Sequence, residues 1–236
     1  MTESKGSSFG AAIAGGVVGS VLTAAVLLFA APQYLSGRIV RQGMLNDPHI
    51  LVEASDALRD AQYKPTLDAS RGLIETPFAS SWKGSSKPKV TLVEFYDYAC
   101  PYCKASNPHV DQLVRENPDL RVVYRELPIL GDNSVAAARL SLAASKAGRF
   151  QQFHDALYAA GRPAPETNTA AARTAQVDPK SLDDPAIEAE LRKNFSLASQ
   201  LGATGTPLFI VGDRVLSGAV GYDALKKAVE DARKSS

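Results

Sequence analysis

Apolar residues cluster in short runs over the second half of the chain, and longer segments of helical spacing separate these runs. The runs from Val90 to Tyr96 and from Leu120 to Glu126 predict two strands, and the segment from Pro101 to about Glu116 predicts a helix between them. These elements make a β-α-β unit, which we expect to be right-handed. Two further runs, Pro207 to Val211 and Arg214 to Leu216, flank a two-residue turn sequence and predict a hairpin.

The segment between the second strand and the hairpin has a different character. Alanine-rich stretches end at Gly148, Gly161 and Gly202, and several prolines separate them. We interpret this segment as an all-helical insertion over about residues 132–201. Residues 222–233 predict a closing helix after the hairpin. The sequence contains no internal repeat and no glycine loop of the nucleotide-binding type.

A separate amphipathic helix is predicted ahead of this region. Asp47 is a candidate cap, Pro48 suits the first turn, and apolar residues recur at helical spacing over residues 47–62. Its apolar stripe could pair with a second copy or dock on its own chain, and the sequence does not choose between these. Residues 64–89 predict a linker with one short strand near Leu73 to Phe78.

The N-terminal region holds an uncharged stretch from Phe9 to Ala31. Roughly twenty-three residues at 1.5 Å each would cross a hydrocarbon core of about 30 Å, so we expect a transmembrane helix. A cleaved signal peptide is the alternative, although the small-residue cleavage pattern is poor. Lys5 before the span and Arg38 and Arg41 after it favour a cytoplasmic C-terminal part, whereas the thiol chemistry described next favours the opposite side.

These boundaries divide the chain into a cytoplasmic tail (1–8), a membrane anchor (9–32), an amphipathic helix with linker (33–86) and a catalytic domain (87–236). With 236 residues, 45% of them hydrophobic, the chain is long enough to bury one sizeable core. Its net charge of +1 gives no reason to expect nucleic acid as a partner.

The only two cysteines lie in Cys100-Pro101-Tyr102-Cys103, where the first predicted strand meets the helix. Two thiols at this spacing can close and reopen a disulfide with little backbone movement. Cys100 should cap the helix, where unpaired backbone N–H groups and the helix dipole favour a thiolate, so it is the predicted nucleophile. Cys103 lies one turn deeper and is the predicted resolving thiol. A metal site is the rival interpretation, but the chain offers only His49, His109 and His154 as further soft or imidazole ligands. We expect His109 to be a partly exposed residue of the active-site helix and His154 to lie on the surface of its own helix.

Two further features support a redox site. Glu94 is an acid within an otherwise apolar strand, where burial would raise its pKa and let it relay protons from Cys103. The alternative is an edge position with a solvated carboxylate. Thr206-Pro207 precedes an apolar strand, where a cis bond would leave the backbone of Thr206 free to pair with an extended client peptide.

The chain resembles the DsbA-type members of the thioredoxin superfamily over roughly residues 87–236. The resemblance rests on the segment from Val93 to Cys103, on Pro108, on residues 125–128, on the helical insertion and on residues 205–209. It implies an α/β thioredoxin fold with an inserted helical domain, and catalysis of disulfide formation or exchange outside the cytosol without a cofactor other than its own disulfide. Glu94, Cys100, Cys103 and Pro207 fall on the family's functional positions, and Pro101, Tyr102 and Thr206 are expected to contact substrate.

The resemblance also implies partners: thiol-bearing secreted or periplasmic clients, a membrane partner that re-oxidises the dithiol, and a homo-oligomer through the 47–62 helix or the membrane span. We therefore expect a single-pass inner-membrane protein with a periplasmic catalytic domain. Strong oxidants of the family carry His where this chain has Tyr102 and Val where it has Thr206, so we expect a milder oxidant. An isomerase or reductase, a glutaredoxin-like protein and a non-catalytic adaptor of this fold are the other interpretations.

Overall fold

The computed structural model describes residues 31–235, so nearly all of the predicted membrane anchor (9–32) lies outside the described residues. Within the described part, no helix is long and apolar enough to cross a membrane. In chain order the elements are α1 (Ala31–Asn46), α2 (His49–Glu75), β1 (Trp82–Gly84), β2 (Val90–Tyr96), α3 (Pro101–Glu116), β3 (Leu120–Glu126), α4 (Asp132–Lys146), α5 (Phe150–Ala160), α6 (Pro165–Thr174), a 3₁₀ helix (Pro179–Asp183), α7 (Pro185–Gln200), β4 (Leu208–Val211), β5 (Arg214–Ser217) and α8 (Gly221–Ser235).

The strands form one five-stranded sheet in the order β1-β3-β2-β4-β5. β2 and β3 are parallel, as the predicted β-α-β unit requires, and β4 and β5 form the predicted antiparallel hairpin. β2 lies at the centre of the sheet, with Glu94 opposite Tyr124 on one side and Phe209 on the other. The thioredoxin-like α/β fold with helices inserted between β3 and β4 is thereby confirmed.

Alternation along β2 divides the core into two layers. Leu92 and Tyr96 face a layer that contains Cys103 and residues of α3, α5 and α8. Val93 and Phe95 face the opposite layer, which holds Leu67 of α2 together with residues from the end of α7. Glu94 has the parity of Leu92 and Tyr96, and it therefore points into the layer that contains the cysteines.

The chain divides into two compact units: the first ends at Leu58, and the second begins at Arg59. In the first unit, α1 and the start of α2 carry large apolar side chains that are exposed, including Ile50, Leu51 and Leu58. In the second unit, the remainder of α2 contributes Leu67 and Ile74 to the core, and each is only 1% exposed.

The predicted linker over 64–89 and its short strand near Leu73 to Phe78 are therefore wrong for residues 64–75, which are helical. The short strand that pairs with β3 is β1, a few residues later in the chain. The helix continues through Pro65 because its apolar face is buried against the sheet, and such packing contributes more to helix stability than local propensity does.

A buried arginine joins α2 to the inserted helices. Arg125 of β3 is 1% exposed, and its guanidinium donates hydrogen bonds to Glu190 and Asn194 of α7, each at 2.9 Å. It also donates to backbone carbonyls at the C-terminal end of α2, which lack partners within the helix. These acceptors are the oxygens of Leu73, Ile74 and Thr76. One side chain thus ties the sheet to two helices that lie far apart in sequence.

Candidate active site

Cys100 occupies the N-cap position of α3, as the sequence predicts. Its backbone is extended, with φ −79° and ψ 118°, and Pro101 is the first residue of the helix. The Cys100 N–H donates to the carbonyl of Asp97 at 3.0 Å, and its own carbonyl accepts from the N–H of Lys104 at 3.2 Å. Cys100 thus precedes the first helical turn, whose backbone N–H groups lack partners within the helix, although its side chain makes no capping hydrogen bond.

The two cysteines differ in accessibility, and Thr206 contacts both of them. Cys100 is 5% exposed and Cys103 is fully buried, so only Cys100 can meet an incoming thiol first. The Thr206–Pro207 peptide bond is cis, and the Sγ of Cys100 donates to the Thr206 carbonyl at 3.2 Å. Burial raises the pKa of Cys103 far above its usual range, and the nearby Glu94 raises it further. Cys103 is consequently a thiol that needs a base before it can attack.

Glu94 is buried at the centre of the sheet, which excludes the edge position with a solvated carboxylate. It is 1% exposed, and neither carboxylate oxygen has a hydrogen-bond partner among the described residues. Burial raises the pKa of Glu94 to about 8, with a further contribution from the charge of Cys100. A carboxyl with this pKa can both give and take a proton near neutral pH.

The predicted substrate-contacting residues surround this pair of thiols. Tyr102 is 63% exposed and Pro101 is exposed beside it, while Thr206 is half-buried and Pro207 is buried. The structure thus brings Glu94, both cysteines and the Thr206 carbonyl into one site. In the described part of the chain, no group of three His, Cys, Asp or Glu residues is arranged to hold a metal ion.

Sequence reasoning missed Asp97, which is 1% exposed and bonds to two separate segments. One carboxylate oxygen accepts the N–H of Ala99 at 2.7 Å, and the other accepts those of Ile129 and Leu130 at 2.8 and 2.9 Å. The first contact is an Asx-turn, a local pattern that an Asp two residues before Ala99 could have suggested. The contacts with residues 129 and 130 have no local signal.

A second buried acid lies at the end of the neighbouring strand. Glu126 is 2% exposed, and burial raises its pKa to about 8. It accepts a hydrogen bond from the Tyr96 hydroxyl, which is also 3.0 Å from the Tyr98 hydroxyl, and Tyr98 in turn contacts Ser141 at 2.9 Å. This polar chain links the end of β2 to helix α4.

His154 was expected on the surface of its helix, and this expectation is wrong. The residue is 5% exposed, it packs against Tyr96, Tyr98 and Tyr124, and burial lowers its pKa. The signal was present in the sequence, because His154 follows Phe150 by four residues and lies on the same helical stripe. His109, by contrast, is half-exposed on α3, as expected.

Residues 91–230 match the family described as the DSBA-like thioredoxin domain. The chain belongs to this family. Among solved structures, the chain is similar to a thioredoxin-like oxidoreductase from Silicibacter pomeroyi DSS-3. The two are 38% identical with a TM-score of 0.65, and the match covers 70% of this chain and 97% of that one.

Two curated relatives extend the comparison. The disulfide bond formation protein D of Bacillus subtilis is 26% identical over 171 residues, which cover 64% of this chain and 76% of the relative. The Na(+)/H(+) antiporter NhaA 3 of Salinispora tropica is 31% identical over 182 residues, which cover 72% of this chain. The matched region spans only 28% of that antiporter, so the resemblance concerns one part of a longer protein.

Proposed function

We propose that this DsbA-like protein is a thiol:disulfide oxidoreductase that forms disulfides in secreted proteins through Cys100 and Cys103. One observation carries the proposal: a thiol at a helix start, 5% exposed, lies beside a fully buried thiol and a buried, unpaired carboxyl. In such an arrangement one thiol, Cys100, reacts with the client, and the other, Cys103, resolves the mixed disulfide. The likeness to the B. subtilis disulfide bond formation protein supports the same function.

The proposed reaction starts from the Cys100–Cys103 disulfide. A client thiolate attacks the Sγ of Cys100, the bond between the two cysteines breaks, and Cys103 leaves as a thiolate. Burial makes that thiolate unfavourable, so Glu94, protonated below its pKa of about 8, gives it a proton. A second client thiolate then attacks the client sulfur of the mixed disulfide and displaces Cys100. The client gains a disulfide, and its two electrons stay on the enzyme as a dithiol.

The same dithiol could instead reduce or rearrange disulfides, and the redox potential separates these functions. Because Tyr102 and Thr206 replace the residues of the strong oxidants, we expect a potential between about −120 mV and about −180 mV, or slightly lower. Equilibration of the full chain with glutathione buffers would measure it. A value near −270 mV, as in thioredoxin, would favour a reductase over the oxidase proposed here.

Replacing Cys103 by serine is expected to trap the mixed disulfide, because the buried thiol that resolves it is gone. A purified Cys103→Ser protein, offered a client with an accessible disulfide, should form a covalent adduct that reductant releases. Mass spectrometry of the adduct should place the bond at Cys100. The matched Cys100→Ser protein should form no adduct, and an adduct through Cys103 in that variant would reverse the assigned roles.

We propose further that the catalytic part lies in the periplasm, held to the inner membrane by residues 9–32. The uncharged sequence of that segment and the persistence of disulfides outside the cytosol support this location. A reporter active only outside the cytosol, fused after Ser236, should be active. An inactive reporter with a stable fusion protein would place the catalytic part in the cytoplasm.

The proposed partners are thiol-bearing clients, a membrane protein that re-oxidises the dithiol, and a second copy of this chain. Exposed apolar side chains on α1 and on the start of α2, such as Ile39, Leu45 and Leu58, support self-association through the N-terminal region. The mass of the full chain in detergent solution tests this assembly, and a strictly monomeric species would exclude it.

A further inference from the structure

Asp97 is bonded to both sides of the active-site surface through a single carboxylate. Its Oδ1 accepts the N–H of Ala99, the residue before Cys100, at 2.7 Å. Its Oδ2 accepts the N–H groups of Ile129 and Leu130 at 2.8 and 2.9 Å. Three backbone N–H groups from two segments thus converge on one side chain, which fixes the two segments relative to each other.

The segment that Asp97 holds presents apolar side chains to solvent. Ile129 is 43% exposed and Leu130 is 46% exposed, although their backbones are pinned. Among the described residues of the second unit, five large apolar side chains are exposed. Three of the five are those of Tyr102, Ile129 and Leu130, and the other two are those of Leu73 and Phe195. Exposed apolar groups therefore concentrate at the dithiol, which is typical of a surface that binds polypeptide.

A client must occupy this surface during the reaction. The mixed disulfide joins the client cysteine to Cys100, so the residues that flank the client cysteine lie within one or two residue lengths of Tyr102 and of the segment that Asp97 holds. Apolar flanking residues would lose contact with water there, whereas the γ-glutamyl and glycine residues that flank the cysteine of glutathione offer no large apolar side chain. The contribution of Ile129 and Leu130 to client binding depends on their segment being held in a fixed position, because ordering it during binding would cost free energy.

We propose that Asp97 is a positioning residue, which holds Ile129 and Leu130 beside Cys100 so that client segments with apolar residues next to their cysteine react preferentially. This inference rests on the proposed oxidoreductase function and adds to it a client chemistry. The Asp97 carboxylate bonds only to backbone N–H groups in this role and not to the reacting sulfurs. Its effect on clients passes through the position of residues 129 and 130.

Asparagine is the informative substitution at this position, because it has the shape of aspartate and only one acceptor oxygen. If that oxygen keeps the bond with Ala99, the amide N–H₂ faces the N–H groups of Ile129 and Leu130, and donors then meet donors. If the amide is reversed, the bond with Ala99 is lost instead. Either orientation breaks the link between the two segments, while the volume of the side chain is conserved.

The test compares three thiols as reductants of the oxidised full chain: glutathione, a cysteine peptide with Leu and Val flanks, and the same peptide with Ser and Gly flanks. Each peptide's second-order rate constant is divided by that of glutathione for the same variant. The wild-type ratio should be about tenfold higher for the apolar peptide than for the polar one, the scale of partly burying one or two apolar side chains. In Asp97→Asn the two ratios should differ by less than about twofold.

Two further variants keep the result interpretable. Ile129→Ser combined with Leu130→Ser leaves Asp97 intact and should lose the same preference, whereas Phe195→Ser removes a similarly exposed apolar side chain and should keep it. A wild-type protein without preference, or a folded Asp97→Asn protein that keeps it, would overturn the proposal. If Asp97→Asn does not fold, a preference retained in the double variant overturns it equally. Failure of all three thiols to react would overturn the oxidoreductase function itself.

Discussion

Replacing Arg125 by alanine is expected to lower the free energy of unfolding by about 3–5 kcal/mol, the usual cost of removing one partner of a buried ion pair. The change removes the buried cation of the Glu190 carboxylate and leaves it only the partly exposed Lys193. It also removes the donors that serve the carbonyls at the end of α2. Urea denaturation followed by far-UV circular dichroism measures the loss as a lower midpoint. Because no active-site residue is replaced, the main expected effect is on the free energy of unfolding and not on the exchange reaction.

A surface arginine provides the control for this prediction. Arg139 pairs with Glu188 at 2.6 Å, but both side chains are more than two-fifths exposed. Arg139→Ala should therefore cost no more than about 1 kcal/mol. Replacing Arg125 and Glu190 together by methionine should recover part of the loss, because no unpaired charge is then buried. An Arg125→Ala protein as stable as Arg139→Ala would contradict the structural role of Arg125.

Replacing Glu94 by glutamine is expected to slow disulfide exchange by about a hundredfold or more and to stabilise the protein at alkaline pH. The rate falls because Cys103 loses the group that gives and takes its proton, and general acid–base catalysis is commonly worth 10²–10⁴-fold. Stopped-flow measurement of the Cys100–Cys103 disulfide being reduced by a client peptide, from pH 5 to pH 9, tests the rate. The wild-type profile should bend near pH 8, and the bend should disappear in the variant.

The effect on stability follows from the direction of the pKa shift. The pKa of Glu94 is about 8 in the folded protein against 4.5 in the absence of burial, so the folded state holds a proton that the unfolded state loses between these values. Wild-type stability is therefore greatest below about pH 4.5 with respect to this group, and it decreases as the pH rises to 8, by a few kcal/mol at most. Glu94→Gln lacks this decrease and should exceed wild-type stability at pH 8 but not near pH 4.

Glu126 supplies the matched control, because its pKa is also about 8 and burial is again the main cause. Glu126→Gln should also reduce the loss of stability at high pH. Its carboxyl bonds to Tyr96, and it does not appear among the charges that raise the pKa of Cys103, so the exchange rate should change far less. Equal rates in Glu94→Gln and Glu126→Gln would refute the proton relay through Glu94.

The elements of the fold were predictable where neighbouring residues encode them. Strands β2 and β3, helix α3, the hairpin and the closing helix each follow from local periodicity and turn residues, and the structure confirms them. The burial of Glu94 also followed, because strand alternation and the apolar neighbours place it on the face towards the cysteines. Cys100 at the start of α3 followed from the strand-to-helix change and Pro101.

The features that sequence reasoning missed depend on contacts between distant segments. Asp97 bonds to residues more than thirty positions away, and the acceptors of Arg125 lie between forty-nine and sixty-nine positions away. No local pattern specifies such pairs. The sequence of residues 64–75 predicts a linker because Pro, Thr, Ser and Gly are poor helix formers. Burial of Leu67 and Ile74 against the sheet stabilises that segment as a helix.

In the proposed reaction, the bond from the Cys100 thiol to the Thr206 carbonyl links client binding to the oxidation state of the two cysteines. That carbonyl accepts the hydrogen of the Cys100 thiol. When the sulfur is joined to Cys103 or to a client, it carries no hydrogen, and the carbonyl is then available to the backbone N–H of an extended peptide. In the proposed reaction, Cys100 takes up a hydrogen after it is displaced from the client, and the resulting thiol competes for the same acceptor. We therefore expect client binding to weaken once the transfer of electrons is complete.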